Sequence, residues 1–174
     1  MRVYRLCRAQ YPPFDGEGAN RFGGRWNSKG NRVIYASENR SLAVLEILVH
    51  LSDVLPDKYV LASADLPEAM LIESVSEQEA PENWGTLNVA KQQATRETGD
   101  QWLRLGRSAV LAVSSVVSGE RNSLLNPEHP EFARITLHDP VPFRLDVRLL
   151  KTAQSAELQK TVQHWAGAPA PAKL

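Results

Sequence analysis

Five of the chain's ten glycines crowd into residues 11–31, YPPFDGEGANRFGGRWNSKGN, together with a Pro-Pro pair and two arginines. Glycine weakens any regular element and accepts turns and close approaches denied to residues with a Cβ. The stretch therefore predicts a long irregular connection between two strands. The first is RVYRLC at residues 2–7, and the second is RVIYAS at 32–37, rich in β-branched and aromatic residues.

Beyond it, NRSLAVLEILVHLSDVL (39–55) has the spacing of a helix, with Ser37, Asn39 or Ser41 available as N-cap. A strand is predicted at KYVLASADL (58–66). The region TLNVAKQQATRETGDQWLRLG (86–106) reads as helical, with an interruption at Gly99. Three more strands are predicted at SAVLAVSSVV (108–117), FARITL (132–137) and FRLDVRLL (143–150), with GERNSLLNPEHPE (119–131) as a loop. Strands outnumber helices without regular β-α alternation, so the expected class is α+β in a single domain over residues 1–150. Residues 151–174 break the pattern and read as a tail, with a short helix followed by a disordered Ala/Pro end.

Composition excludes several functions. Lys+Arg and Asp+Glu balance at 20 each, so no overall basic field drives binding to nucleic acid or anionic lipid. One cysteine, Cys7, makes no internal disulfide, the N-terminus lacks the apolar core of a signal peptide, and no stretch reaches the length of a membrane span. The expectation is a soluble cytoplasmic protein. GEGANR (16–21) supplies only two glycines of a dinucleotide fingerprint, with no helix predicted to open after it. His50, His129, His138 and His164 stand in no metal-ligand spacing, so no metal site is expected. No Gly-x-Ser-x-Gly elbow signals a serine hydrolase.

What remains is a set of polar residues on the best-defined elements. Arg21 and Arg25 flank FGG, where a forked guanidinium and yielding backbone suit a phosphate or carboxylate; both also read as ordinary solvated cations. Tyr35 reads as core or as a ligand platform. Glu46 is the only acid among seven aliphatic residues between 42 and 49. It lies on a helical stripe with Asn39, Ala43, His50 and Asp53, which faces either water, with a Glu46–His50 pair, or a cleft. Ser114, Ser115 and Ser118, and the Asn126-Pro127 step, carry turn signals first.

In order and spacing, GGRWNSKGNRVIYAS, SLAVLEILVHL, GDQWL and VSSVVSGERNSLLNPEHPEF resemble the RES-domain toxins of bacterial RES–Xre toxin–antitoxin pairs, over about residues 2–150. The family's Arg, Glu and Ser correspond to Arg25, Glu46 and Ser115. Ser114 stands where the family usually has Pro, which leaves Ser114 as the competing assignment. The resemblance implies an ADP-ribosyltransferase-like fold, a split β-sheet core with flanking helices. It also implies an enzyme that consumes NAD+ as substrate, with no other cofactor, and arrests growth. The acceptor it implies is water or phosphate; the alternative is a protein target. The expected catalytic residues are Glu46, Arg25 and Ser115, and the expected substrate contacts are Arg25, Tyr35, Trp26, Arg21 and Asn126. The expected partner is an Xre-like helix-turn-helix antitoxin that carries the DNA contact, in dimers and larger hetero-oligomers. A contrasting reading is a non-catalytic binding domain in which Arg25 and Glu46 form a structural ion pair.

Overall fold

The computed structural model describes residues 1–50, 58–146 and 149. Asp53, His164 and the tail expected at 151–174 lie outside the described residues. Among the described residues the α-helices and strands follow in the order β1 (Arg2–Arg8), α1 (Glu17–Phe22), β2 (Ile34–Ser37), α2 (Arg40–Leu48), β3 (Tyr59–Asp65), β4 (Ile72–Val75), α3 (Gln93–Leu105), β5 (Val110–Ser114), β6 (Arg121–Leu125), β7 (Thr136–Leu137) and β8 (Val141–Phe143).

The eight strands among the described residues join one sheet in the order β4-β5-β6-β2-β1-β3-β7, with β8 also paired to β3. Every pairing is antiparallel except β4 with β5, whose parallel register requires the crossover that contains α3. In place of the expected split there is one continuous sheet, narrowed between β1 and β2. β1 pairs with β3 at every position from Arg2 to Arg8, yet meets β2 only at Tyr4 opposite Ser37. Arg5 reaches across this divergence and donates from Nη1 to the Tyr35 carbonyl, 2.7 Å away. Burial lowers its pKa, and its Nε finds no partner among the described residues.

Strand alternation puts Tyr4, Leu6, Tyr35, Ser37, Leu111, Val113, Asn122 and Leu124 on one face. That face carries two helical layers. Ala43 of α2 packs with Leu6, Tyr59 and Leu61 over one half. Trp102 of α3 packs with Trp26, Val33, Leu111, Val113 and Leu124 over the other. The reverse face buries Val3, Ile34, Ala36, Val110 and Leu125 under Met70 and Ile135.

Several sequence expectations are corrected. Part of the stretch read as the loop 119–131 is β6, a central strand between β5 and β2. Its polar start, Arg121, Asn122 and Ser123, hides the alternation that Leu124 and Leu125 alone do not reveal. FARITL supplies only the two residues of β7, because Pro130–Arg134 forms a 3-10 turn capped by the His129 ring, which accepts from the Glu131 amide. Of FRLDVRLL, Phe143 ends β8, and residues 144–146 lie outside any strand. The short α1 and β4 carry too few residues to show a period. The helix expected to break at Gly99 runs through it, because α3 there lies directly on the Trp26 carbonyl.

At the sheet's far edge Asp65 accepts from Arg2 at 2.6 Å and contacts His138 at 2.8 Å. These partners hold its carboxyl well below the usual carboxylate range, Arg2 contributing most. A carboxyl depressed on folding stabilises the native state above its ordinary value of 3.8 and loses that contribution as pH falls through and below it. Thermal melts of wild type and Asp65→Asn are therefore expected to differ at pH 6 and to converge as the pH drops below about 4. A gap that persists unchanged in acid would contradict this assignment.

Candidate active site

Glu46 owes its position to a helix start that leaves little freedom. Asn39 is the N-cap of α2, its Oδ1 accepting from the Leu42 amide at 2.8 Å, while its Nδ2 donates to Glu120 at 2.9 Å. The helix is thus tied to the turn that follows β5. With Leu42 and Ala43 buried, Glu46 is half-buried and turned toward the ends of β5 and β6. Its Oε1 accepts from Ser115 Oγ at 2.7 Å and from Asn122 Nδ2 at 2.6 Å. Asn122 is oriented in turn by Ser37, whose hydroxyl donates to Oδ1 at 2.8 Å. Oε2 has no hydrogen-bond partner among the described residues. The carboxylate is therefore held by one oxygen and offers the other.

The alternation of β5 sends the two serines to opposite faces. Ser115 shares the face of Leu111 and Val113 and reaches Glu46, whereas Ser114 pairs with Arg121 on the reverse face. The Ser115 hydroxyl also accepts from the Val117 amide at 3.0 Å, which closes the turn after the strand. Glu46 does not form the expected pair with His50: its hydrogen bonds go to strand ends instead.

Arg25 arrives from the glycine-rich segment. Its Nη1 donates to the carbonyls of Trp84 and Thr86, the latter at 3.0 Å. Burial lowers its pKa, and the charge of Glu46 works in the opposite direction, so the two groups face each other electrostatically. They are not ion-paired in the structure: Arg25 is held by carbonyls and Glu46 by a hydroxyl and an amide, which removes the structural ion pair as an account of both residues. Among the described residues Nε and Nη2 of Arg25 have no hydrogen-bond partner, leaving one edge of the fork for an anion.

Three expected substrate contacts have other work. Trp26 is 3% exposed in the core with Trp102, so its ring is not open to a ligand. Arg21 is spent on an exposed i, i+4 ion pair with Glu17 at 2.6 Å, on the surface of α1. Asn126 lies just past the far end of β6 from Asn122 and makes a turn, its Oδ1 accepting from the Glu128 amide at 3.0 Å. Tyr35 shares the sheet face of Ser37 and Asn122, but its hydroxyl is committed: it accepts from the Trp26 amide at 3.0 Å and donates to Asn27 Oδ1 at 2.8 Å. Burial raises its pKa, so it remains a neutral phenol. Gly24 is required here, since a Cβ would collide with that hydroxyl. Asn27, fully buried, ties the loop further by donating to the carbonyls of Ala19, Ser28 and Asn31. Tyr35→Phe leaves the Trp26 amide and Asn27 Oδ1 short of a partner. The expected loss is about 1–3 kcal/mol in chemical denaturation, whereas a tyrosine serving only as a stacking platform would leave stability unchanged.

Asn122 and Ser37 complete the site without having been singled out by sequence. Their signal is positional, since Asn122 faces Ser37 across β2–β6. No group of three or more His, Cys, Asp or Glu side chains among the described residues is gathered as metal ligands would be.

Residues 2–146 match the family described as the RES domain. The chain belongs to the RES domain family. It is 36% identical over 157 residues to "Toxin Res" of Photorhabdus laumondii, covering 87% of this chain and 98% of the relative. It is 34% identical over 142 residues to the "Prs ADP-ribosylating toxin" of Sphingobium sp., covering 79% and 87%. The fold is similar to a chain of the Mycobacterium tuberculosis MbcT–MbcA toxin–antitoxin complex, with a TM-score of 0.67 at 18% identity and coverage of 82% and 83%. In this RES domain Glu46 of α2 is hydrogen-bonded to Ser115 at the end of β5, and Arg25 of the glycine-rich loop lies within electrostatic reach of Glu46. Among the described residues no helix is long and apolar enough to cross a membrane.

Proposed function

We propose that this RES domain is a toxin that cleaves the nicotinamide–ribose bond of NAD+. The observation that supports this best is the half-held Glu46 carboxylate, with Oε1 fixed by Ser115 and Asn122 and Oε2 free, opposite an arginine with two free donors. Cleaving the glycosidic bond builds positive charge on the ribose in an oxocarbenium-like state, and a fixed carboxylate beside it lowers that barrier. Oε2 would face the ribose and its hydroxyls, with Oε1 anchored so that no reorganisation is needed. The free edge of Arg25 would hold the pyrophosphate, positioning the ribose. Ser115 would orient Glu46, its hydroxyl donating to Oε1 while its oxygen accepts from the Val117 amide. Nicotinamide leaves as a neutral molecule, so no general acid is required. NAD+ is substrate here, and no further cofactor enters the scheme.

The acceptor on this reading is water or phosphate, making the protein a glycohydrolase or phosphorylase that depletes cytoplasmic NAD+. The name of the Sphingobium relative favours a second reading, transfer of ADP-ribose to a protein target. The complex containing the structural neighbour supports an antitoxin partner, of the Xre-like helix-turn-helix type on our reading, which covers the cleft and carries the DNA contact in a hetero-oligomer. The test is to incubate the partner-free protein with NAD+ in buffers with and without phosphate, and with cell lysate, and to separate the products by chromatography. Free ADP-ribose marks hydrolysis, a phosphorylated ADP-ribose marks phosphorolysis, and a labelled protein band marks transfer. No nicotinamide under any of the three conditions would sink the proposal.

A further inference from the structure

We infer that one face of α3 is the platform that positions Arg25, and that Arg96 is its principal positioning residue; the kinetic part of this inference rests on the NAD+-cleaving reading. Gln92, at the N-cap of α3, together with Arg96, Gly99 and Asp100, recurs at i, i+4, i+7 and i+8, the spacing of a single helical stripe. Each of the four is committed to the loops that bear or hold Arg25. Gln92 Nε2 donates to the Thr86 carbonyl at 3.0 Å, the same oxygen that accepts from Arg25. Arg96 donates from Nε to the Gly24 carbonyl at 3.1 Å and from Nη2 to the Val89 carbonyl at 3.0 Å. Gly99 lets the helix lie on the Trp26 carbonyl. Asp100 Oδ1 accepts from the Ser28 amide at 2.9 Å and from Asn31 Nδ2 at 2.6 Å.

The Gly24 carbonyl belongs to the peptide that leads into Arg25. By gripping it together with Val89, Arg96 fixes the two backbone segments between which the Arg25 side chain is strung. Two donors on separate nitrogens of one planar, rigid group are needed for that, which a guanidinium has and an ammonium lacks. Both donors go to main-chain carbonyls, so Arg96 acts through Arg25 and not on substrate. Asp100 secures the distal end of the same loop, and Gly99 sets its distance from the helix.

The test is a double-mutant cycle on nicotinamide release, with Arg96→Ala, Arg96→Lys, Arg25→Ala and the Arg96/Arg25 double substitution. It is paired with amide hydrogen exchange of segments 21–31 and 84–91 in the wild type and in Arg96→Ala. Arg96→Ala is expected to lower kcat/KM by about 10- to 100-fold, mostly through KM, with Arg96→Lys recovering only part. On the Arg25→Ala background the same change should cost less than about twofold, because the residue it positions is gone. Exchange in the two segments should speed up while β1, β3 and β6 stay protected. Multiplicative losses in the double variant would overturn the inference, as would unchanged exchange at 21–31. If the wild-type protein releases no nicotinamide, the NAD+ reading fails by itself, and the exchange contrast still decides whether Arg96 positions the loop.

Discussion

Glu46→Gln is expected to reduce nicotinamide release by at least about 10²–10³-fold and to abolish growth arrest, while the protein melts close to wild type. Glutamine keeps the shape of the side chain. Its carbonyl oxygen accepts the hydrogen bonds that Oε1 now receives from Ser115 and Asn122, so no buried donor loses its partner. Only the charge disappears. If Glu46 served mainly to knit α2 to the ends of β5 and β6, this substitution would be nearly silent in activity. If it stabilises charge on the ribose, activity collapses with the fold intact. The check is a steady-state assay beside a thermal melt of the same preparation. An active variant, or one that melts far below wild type, would contradict the role assigned to Glu46.

Gly99→Ala carries the largest expected effect on stability. A Cβ at this position would run into the carbonyl oxygen and carbon of Trp26, which are backbone atoms with no rotamer to escape into. Relief requires either α3 or the glycine-rich loop to move. Overpacking of this kind costs about 1–3 kcal/mol, occasionally more, and here the strain falls on Trp26, which also anchors the core with Trp102 and Leu111. The urea midpoint of Gly99→Ala should drop accordingly, and activity should fall with it because Trp26 adjoins Arg25. Gly18→Ala is the matched control. It lies within α1 with open space around the missing Cβ, so alanine should be neutral or slightly stabilising. Equal midpoints for the two variants would refute the packing argument.

Legibility in the sequence followed how local the signal was. β1, β2, β3 and the start of α2 could be read because RVYRLC, IYAS, YVLASAD and the Asn39 cap each declare themselves within a few residues. β6 could not, since Arg121, Asn122 and Ser123 make sense only opposite β2 and β5, where Asn122 finds both Ser37 and Glu46. The same non-locality explains the substrate contacts that were corrected. Trp26 and Arg21 flank or adjoin FGGR, but the alternation of core and surface in that loop is set by α3 and α1, and no period in the sequence encodes it. The break expected at Gly99 is absent from α3 for a related reason: a helix propensity penalty of about 1 kcal/mol is outweighed by the close approach that only glycine permits. Glu46 stood out because an acid within an aliphatic helix is unusual on any reading. The parity of β5 alone is enough to send Ser115, and not Ser114, toward Glu46.

The most direct test of the account is a crystal structure of Glu46→Gln with NAD+, in which the loss of turnover preserves the substrate. The account predicts the nicotinamide ribose beside the residue 46 side chain and the pyrophosphate on the free edge of Arg25, over Tyr35 and Asn122. NAD+ bound elsewhere, for example in the depression lined by Ser74, Ser114 and Arg121 on the reverse face of the sheet, would contradict it.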